Sequence, residues 1–180
     1  MSELYIYDDL DEFDDIFGDL DMTMLHSGEK HRVFVYGTLM SGMRNHHRLK
    51  DSGAELLDPN SRLAGDFKMA SRVTSSGIVP IVITGNNYDP DGGGIIRGEL
   101  YEVDNSTLIM LDQFEGHPDV YERKKYITNY KGIVTEVWMY EYVDVLNSFC
   151  VVPTMSAIHE MVEITENRKK TVSTYTWRGL

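Results

Sequence analysis

The sequence predicts an α+β domain whose strands curl into a closed or partly closed barrel flanked by helices. Three observations lead there. Apolar, β-branched runs of strand length recur through the middle of the chain without the regular strand–helix alternation of a doubly wound sheet. Helical periodicity is confined to a few segments. Turn-forming clusters rich in Gly, Asn, Asp and Ser separate the runs.

The chain opens on an acidic tail, residues 1–30, ahead of a domain over residues 31–180. The tail holds ten acids and a single base, Lys30, so it carries −9 of the −12 net charge. Leu10, Phe13, Phe17 and Leu20 recur at helical spacing within it, with Ile16 close by. Uncompensated carboxylates on the other faces would weaken an isolated helix. Two readings stand: a solubilising arm, or a hook that folds onto a basic protein partner.

The first strand is Arg32–Tyr36. A short helix follows around residues 45–51. Strands over Arg62–Ala70 and Ile78–Thr84 flank a turn at Thr74-Ser75-Ser76-Gly77. A loop over residues 85–94 leads to a strand at Ile95–Val103, and its triplet Gly92–Gly94 reads as a hairpin tip. No Lys-Ser or Lys-Thr follows the triplet, so it is not a phosphate loop. Residues 105–115 form a helix with Leu108, Leu111 and Phe114 on one face, Asp104 or Asn105 as N-cap and Gly116 as stop. Lys124–Tyr130 and Ile133–Val143 make a hairpin over Lys131-Gly132. Residues 154–166, after Pro153, predict a further helix with Ile158, Met161 and Val162 inward.

Bulk properties narrow the function. A chain of 180 residues can bury a sizeable core. The body outside the tail is close to neutral, which argues against electrostatic nucleic-acid binding. No apolar run approaches a membrane span, and no secretory signal pattern stands at the N-terminus. The one cysteine, Cys150, fits a reducing, cytoplasmic setting and reads as an apolar filler.

Two motifs carry chemistry. In residues 33–42, VFVYGTLMSG, a buried strand ends in a tight glycine turn, followed by Asn45, His46, His47 and Arg48 at a helix start. Backbone N–H groups of Gly37, Thr38 and Leu39 converge there as an anion cradle, to which Thr38 adds a hydroxyl. In residues 111–123, LDQFEGHPDVYER, Glu115 sits at a helix C-terminus beside Phe114. The helix field and apolar neighbours both raise a carboxylate's pKa, which suits a proton-transfer group. His46, His47 and His117 lack metal-ligand spacing. Pairs of Glu115 with Asp112, Glu99 or Glu122 lack a sugar-platform signature.

With its partner GELYEVDNSTLIMLDQFEGHPDVYER, the stretch VFVYGTLMSGMRNHHRL resembles the gamma-glutamylcyclotransferase-like superfamily, in particular its gamma-glutamylamine cyclotransferase branch. The resemblance covers residues 32–143 and implies a mixed strand barrel with flanking helices. It implies a small-molecule or isopeptide γ-glutamyl substrate that cyclises to 5-oxoproline and frees an amine. It also implies that no metal, nucleotide or other cofactor is needed. By resemblance the catalytic Glu falls on Glu115, and the substrate pocket on Tyr36, Gly37, Thr38, Leu39, Ile78 and Tyr121. The alternative is a non-catalytic binding or regulatory protein on the same scaffold, with the acidic tail as partner hook.

Overall fold

A computed structural model describes residues 28–75, 77–84, 93–143, 158–164 and 171–178. The acidic tail as far as residue 27, the loop over residues 85–92 and Cys150 lie outside the described residues. Strand β1 (Lys30–Val35) is followed by the short helix α1 (His47–Asp51). Three strands come next, β2 (Glu55–Gly65), β3 (Phe67–Thr74) and β4 (Gly77–Thr84). Then come β5 (Gly93–Asp104), helix α2 (Asn105–Glu115), β6 (Tyr121–Tyr130) and β7 (Ile133–Tyr142). The described elements end with β8 (Ile158–Ile164) and β9 (Thr171–Trp177).

The α+β class holds. The main sheet runs β6-β7-β1-β5-β9-β8 and is mixed, with β1 parallel to β7 and β9 parallel to β5. β2 pairs with the remaining edge of β5. Among the described residues the sheet is not closed into the barrel expected from the sequence. β2 returns toward β6, where the Thr128 hydroxyl donates to the Arg62 carbonyl at 2.6 Å, but the two strands share no ladder. β3 and β4 form a separate two-stranded sheet.

β1 is flanked on both sides, by β5 and β7, which explains its β-branched and aromatic run. Val33, Phe34 and Val35 are buried, and with Leu100, Val103, Leu111 and Met139 they anchor the main core. Full burial of a side chain such as Leu111 contributes about 2 kcal/mol. The hairpin between β6 and β7 turns over Lys131 (φ 52°) and Gly132 (φ 82°), as expected for a two-residue loop.

Helix α2 matches its expected span. Asp104 is the N-cap, its carboxylate accepting from the Thr107 N–H at 2.8 Å. That bond holds the Asp104 carboxyl below its ordinary pKa. Gly116 closes the helix in the left-handed conformation at φ 66°. Leu108 and Leu111 face the core as expected, whereas Phe114 stays partly exposed at the edge of a cavity. Asp104→Ala is expected to lower stability by about 1 kcal/mol at neutral pH. The depressed pKa means that this contribution is present above the unfolded carboxyl pKa and fades as acidification passes the folded one. Denaturant midpoints at pH 7 and pH 3 would check both statements.

Two sequence expectations are corrected. The helix over residues 154–166 is not formed across Ile158–Ile164, which is strand β8, antiparallel to β9 with Ile158 opposite Trp177. Three β-branched residues among seven favour a strand once an edge is available, and tertiary pairing overrides the helical spacing. The strand drawn as Arg62–Ala70 is two strands: the chain bends at Asp66, leaves β2 and enters the second sheet as β3.

Candidate active site

β1 delivers the Tyr36–Leu39 turn at its C-terminal end, and α2 delivers Glu115 at its own. The two ends meet in a cavity of about 450 Å³. Of the residues singled out in the sequence, Tyr36, Gly37, Thr38, Leu39, Glu115 and Tyr121 all line it. Ile78 does not. It lines a neighbouring cleft beside Thr38 and Arg44, while the next two residues of β4, Val79 and Pro80, face the cavity.

The turn is pinned in place. The Met40 N–H donates to the Gly37 carbonyl at 3.0 Å, and the Asn45 N–H to the Thr38 carbonyl at 2.9 Å. The Asn45 side-chain amide donates to the Thr38 hydroxyl oxygen at 2.9 Å. That oxygen accepts here, so its own proton is left to donate elsewhere. His46 Nδ1–H donates to the Leu39 carbonyl at 3.1 Å. Gly37 is required by close approach: a Cβ there would stand 2.6 Å from Cγ of Pro80. The β3–β4 sheet can sit against the turn only because that side chain is absent.

Glu115 keeps a strip of accessible surface, and that strip faces the cavity. Burial raises its pKa to about 7, offset in part by the positive charge of Arg48. Arg48 lies over the Phe114 ring, with Cζ 4.3 Å from the ring centroid. Burial thus acts in the direction that the apolar neighbours of Glu115 in the sequence suggest.

Tyr36 is buried, and its hydroxyl donates to the Tyr140 carbonyl at 2.8 Å. Its proton is committed to the protein; toward the cavity the oxygen offers lone pairs. Burial raises the Tyr36 pKa well above its ordinary value, with Tyr121 and Glu115 adding to the effect. Burial also raises Tyr121, with the Glu115 charge next. Tyr121 meets Tyr142 edge to face at 5.4 Å. Tyr140 donates to Asp112 at 2.7 Å, and Asp112 in turn pairs with Arg123 at 3.0 Å, a network bracing this wall.

Of the basic lining, the sequence marks Arg48 at the helix start behind the turn but assigns no role to Arg44 or Arg72. Arg44, Arg48 and Arg72 all border the cavity, and Glu115 is the one carboxylate among the described residues that line it. The surplus of positive charge suits an anionic substrate group. Arg44 and Arg48 lie within the first motif, on a loop and a short helix, whereas no motif announces Arg72, which comes from a strand of the second sheet. The histidines each have a structural account: His46 holds Leu39, His47 Nδ1 donates to the Arg44 carbonyl, and His117 Nδ1 accepts from the Arg123 N–H. No described helix is long and apolar enough to cross a membrane.

The profile of the family described as "Gamma-glutamyl cyclotransferase, AIG2-like" matches residues 33–154. The chain is 35% identical over 113 residues to the bovine (Bos taurus) gamma-glutamylaminecyclotransferase, covering 59% of this chain and 61% of that protein. It is 36% identical over 97 residues to the human (Homo sapiens) gamma-glutamylaminecyclotransferase, covering 51% of this chain and 57% of that one. The matches thus span about three fifths of the length of these relatives. The crystal structure of an AIG2-like protein from Mus musculus superposes with a TM-score of 0.51 at 24% identity. It covers 66% of this chain and 81% of the mouse chain, which is a likeness of fold. With the family profile matched across both motif regions and most of the described sheet, the chain belongs to the gamma-glutamyl cyclotransferase, AIG2-like family and is an enzyme of the gamma-glutamylcyclotransferase type.

Proposed function

We propose that this chain converts a γ-glutamyl amide, either a γ-glutamylamine or a γ-glutamyl-lysine isopeptide, to 5-oxoproline and a free amine. Glu115 serves as general base and then general acid. The observation that carries the proposal is the Glu115 carboxylate lining one arginine-bordered cavity together with the Tyr36–Leu39 turn, where burial raises its pKa to about 7.

The substrate supplies its own nucleophile. Glu115 takes a proton from the α-ammonium, and the freed amine attacks the γ-carbonyl carbon. The new C–N bond closes a five-membered ring through a tetrahedral intermediate. That intermediate then breaks the original amide C–N bond as Glu115 returns the proton to the leaving nitrogen, and the second proton of the ring nitrogen passes to the departing amine, which leaves as its ammonium. A carboxyl pKa near 7 brings the base within about a unit of a typical α-amine, against roughly 3.5 units for an ordinary Glu. Backbone N–H groups of the turn and the Thr38 hydroxyl are suited to the developing oxyanion. Arg44, Arg48 and Arg72 are suited to the α-carboxylate. We place the reaction in a reducing, cytoplasmic compartment on the strength of the single cysteine. The tail's role as a hook for a basic partner remains a separate proposal, which deletion of residues 1–28 with every interaction intact would sink.

The direct test is 5-oxoproline release by purified protein from a panel of γ-glutamyl compounds. Tight binding of the whole panel with no turnover would overturn the proposal. Arg48→Gln provides a second test. Loss of the nearby positive charge is expected to move the acidic limb of kcat/KM to higher pH, since Arg48 lowers the Glu115 pKa. A limb that stays in place or moves to lower pH would count against Glu115 as the titrating base.

A further inference from the structure

A second cleft, of about 510 Å³, opens where β2, β5 and the end of β9 come together. Three guanidinium groups border it: Arg62 from β2, Arg97 from β5 and Arg178 just after β9. The antiparallel register places Arg62 directly opposite Arg97. Like charges facing each other across a ladder are destabilising unless something lies between them. Among the described residues, none of the three forms an ion pair.

The one carboxylate among the described lining residues is Glu99. Its Oε2 already accepts from the Ser41 N–H and the Tyr101 hydroxyl, both at 2.8 Å. The cleft therefore keeps a net positive charge of about two even with Glu99 ionised. Asn60, Thr174 and Thr176 add neutral donors around the guanidiniums. This collection resembles the catalytic cavity in sign, but it lies on different elements and shares no lining residue with it.

We infer that this cleft is a binding site for a small phosphate-bearing molecule, held by Arg62, Arg97 and Arg178. A single carboxylate has two oxygens and one charge, enough for one guanidinium fork. A phosphoryl group presents three oxygens and close to two charges, so it can engage two or three forks and relieve the repulsion between the facing pair. The inference is independent of the reaction proposed above.

Inorganic pyrophosphate serves as the probe, on the full chain at ionic strength matched with sodium chloride. Calorimetric titration is expected to show saturable one-to-one binding, accompanied by a rise in Tm. The R62Q/R97Q pair is expected to weaken that binding at least about tenfold while leaving cyclotransferase turnover unchanged. Without the anion, either single variant is expected to be as stable as the parent or more so, because it removes a like-charge contact. Should the double variant not fold, R97Q by itself carries the binding test. No saturable binding would overturn the inference, as would undiminished binding in these variants or equal affinity for citrate. Binding lost in R72Q but kept in R62Q/R97Q would also overturn it, by locating the anion in the catalytic cavity.

Discussion

Glu115→Gln is expected to reduce turnover by a factor of about 10²–10⁴, the usual worth of a general acid–base group. The amide keeps the shape and polarity of the side chain but can neither take the ammonium proton nor return it. The parent's kcat/KM is expected to rise with pH through about 7, where Glu115 ionises, and to level or fall once the substrate amine loses its own proton. Full activity in the Gln variant would refute the assignment.

The same substitution carries a stability signature of opposite sign. The folded Glu115 pKa, about 7, lies above the ordinary value of 4.5. Its protonated form is thus favoured by folding. The associated stability is fully present below the unfolded pKa and is lost as pH rises through the folded one. Gln has no such loss. The variant is expected to match the parent near pH 4 and to exceed it above pH 7. The gain is on the order of 2 kcal/mol, after discounting for water in the cavity. Catalytic loss together with a stability gain in alkaline buffer would separate a proton-transfer role from simple damage. Equal Tm at both pH values would mean that the carboxylate is not desolvated.

Gly98→Ala is expected to cost about 3 kcal/mol, at the upper end for overpacking. A Cβ at this position would stand 2.2 Å from the Val35 carbonyl oxygen and 2.7 Å from Cζ of Phe34. The first of these is backbone and cannot swing aside. β1 would have to move away from β5, breaking the Val35–Glu99 end of their ladder. That end leads directly into the Tyr36–Leu39 turn, so turnover should fall along with stability. Denaturant unfolding and the 5-oxoproline assay would read the two effects. An unchanged midpoint would show that the strands separate without cost.

The elements readable from the sequence were those set by short-range chemistry. The cap at Asp104, the stop at Gly116 and the Lys131-Gly132 turn each depend on a few neighbouring residues, and each stands where expected. β8 was misread because its spacing suits a helix as well as a strand, and only the edge of β9 decides between them. β9 itself, Thr171–Trp177, passed unnoticed, although its β-branched and aromatic residues carry a strand signal. The break between β2 and β3 depends on which sheet each half joins, and no local pattern encodes that choice.

The chain's residues by themselves determined the family, the α+β class and the two motifs, because a glycine turn after a buried strand and a Glu at a helix end are local features. Only the tertiary structure brought Tyr36–Leu39 and Glu115 to one cavity, committed the Tyr36 proton to Tyr140, and ringed the carboxylate with Arg44, Arg48 and Arg72. It also left the sheet open and set Arg62 opposite Arg97. The physical reason is that charge and desolvation act through space. A carboxylate's pKa, or a guanidinium's partner, depends on residues far apart in the chain that meet only when the strands have paired.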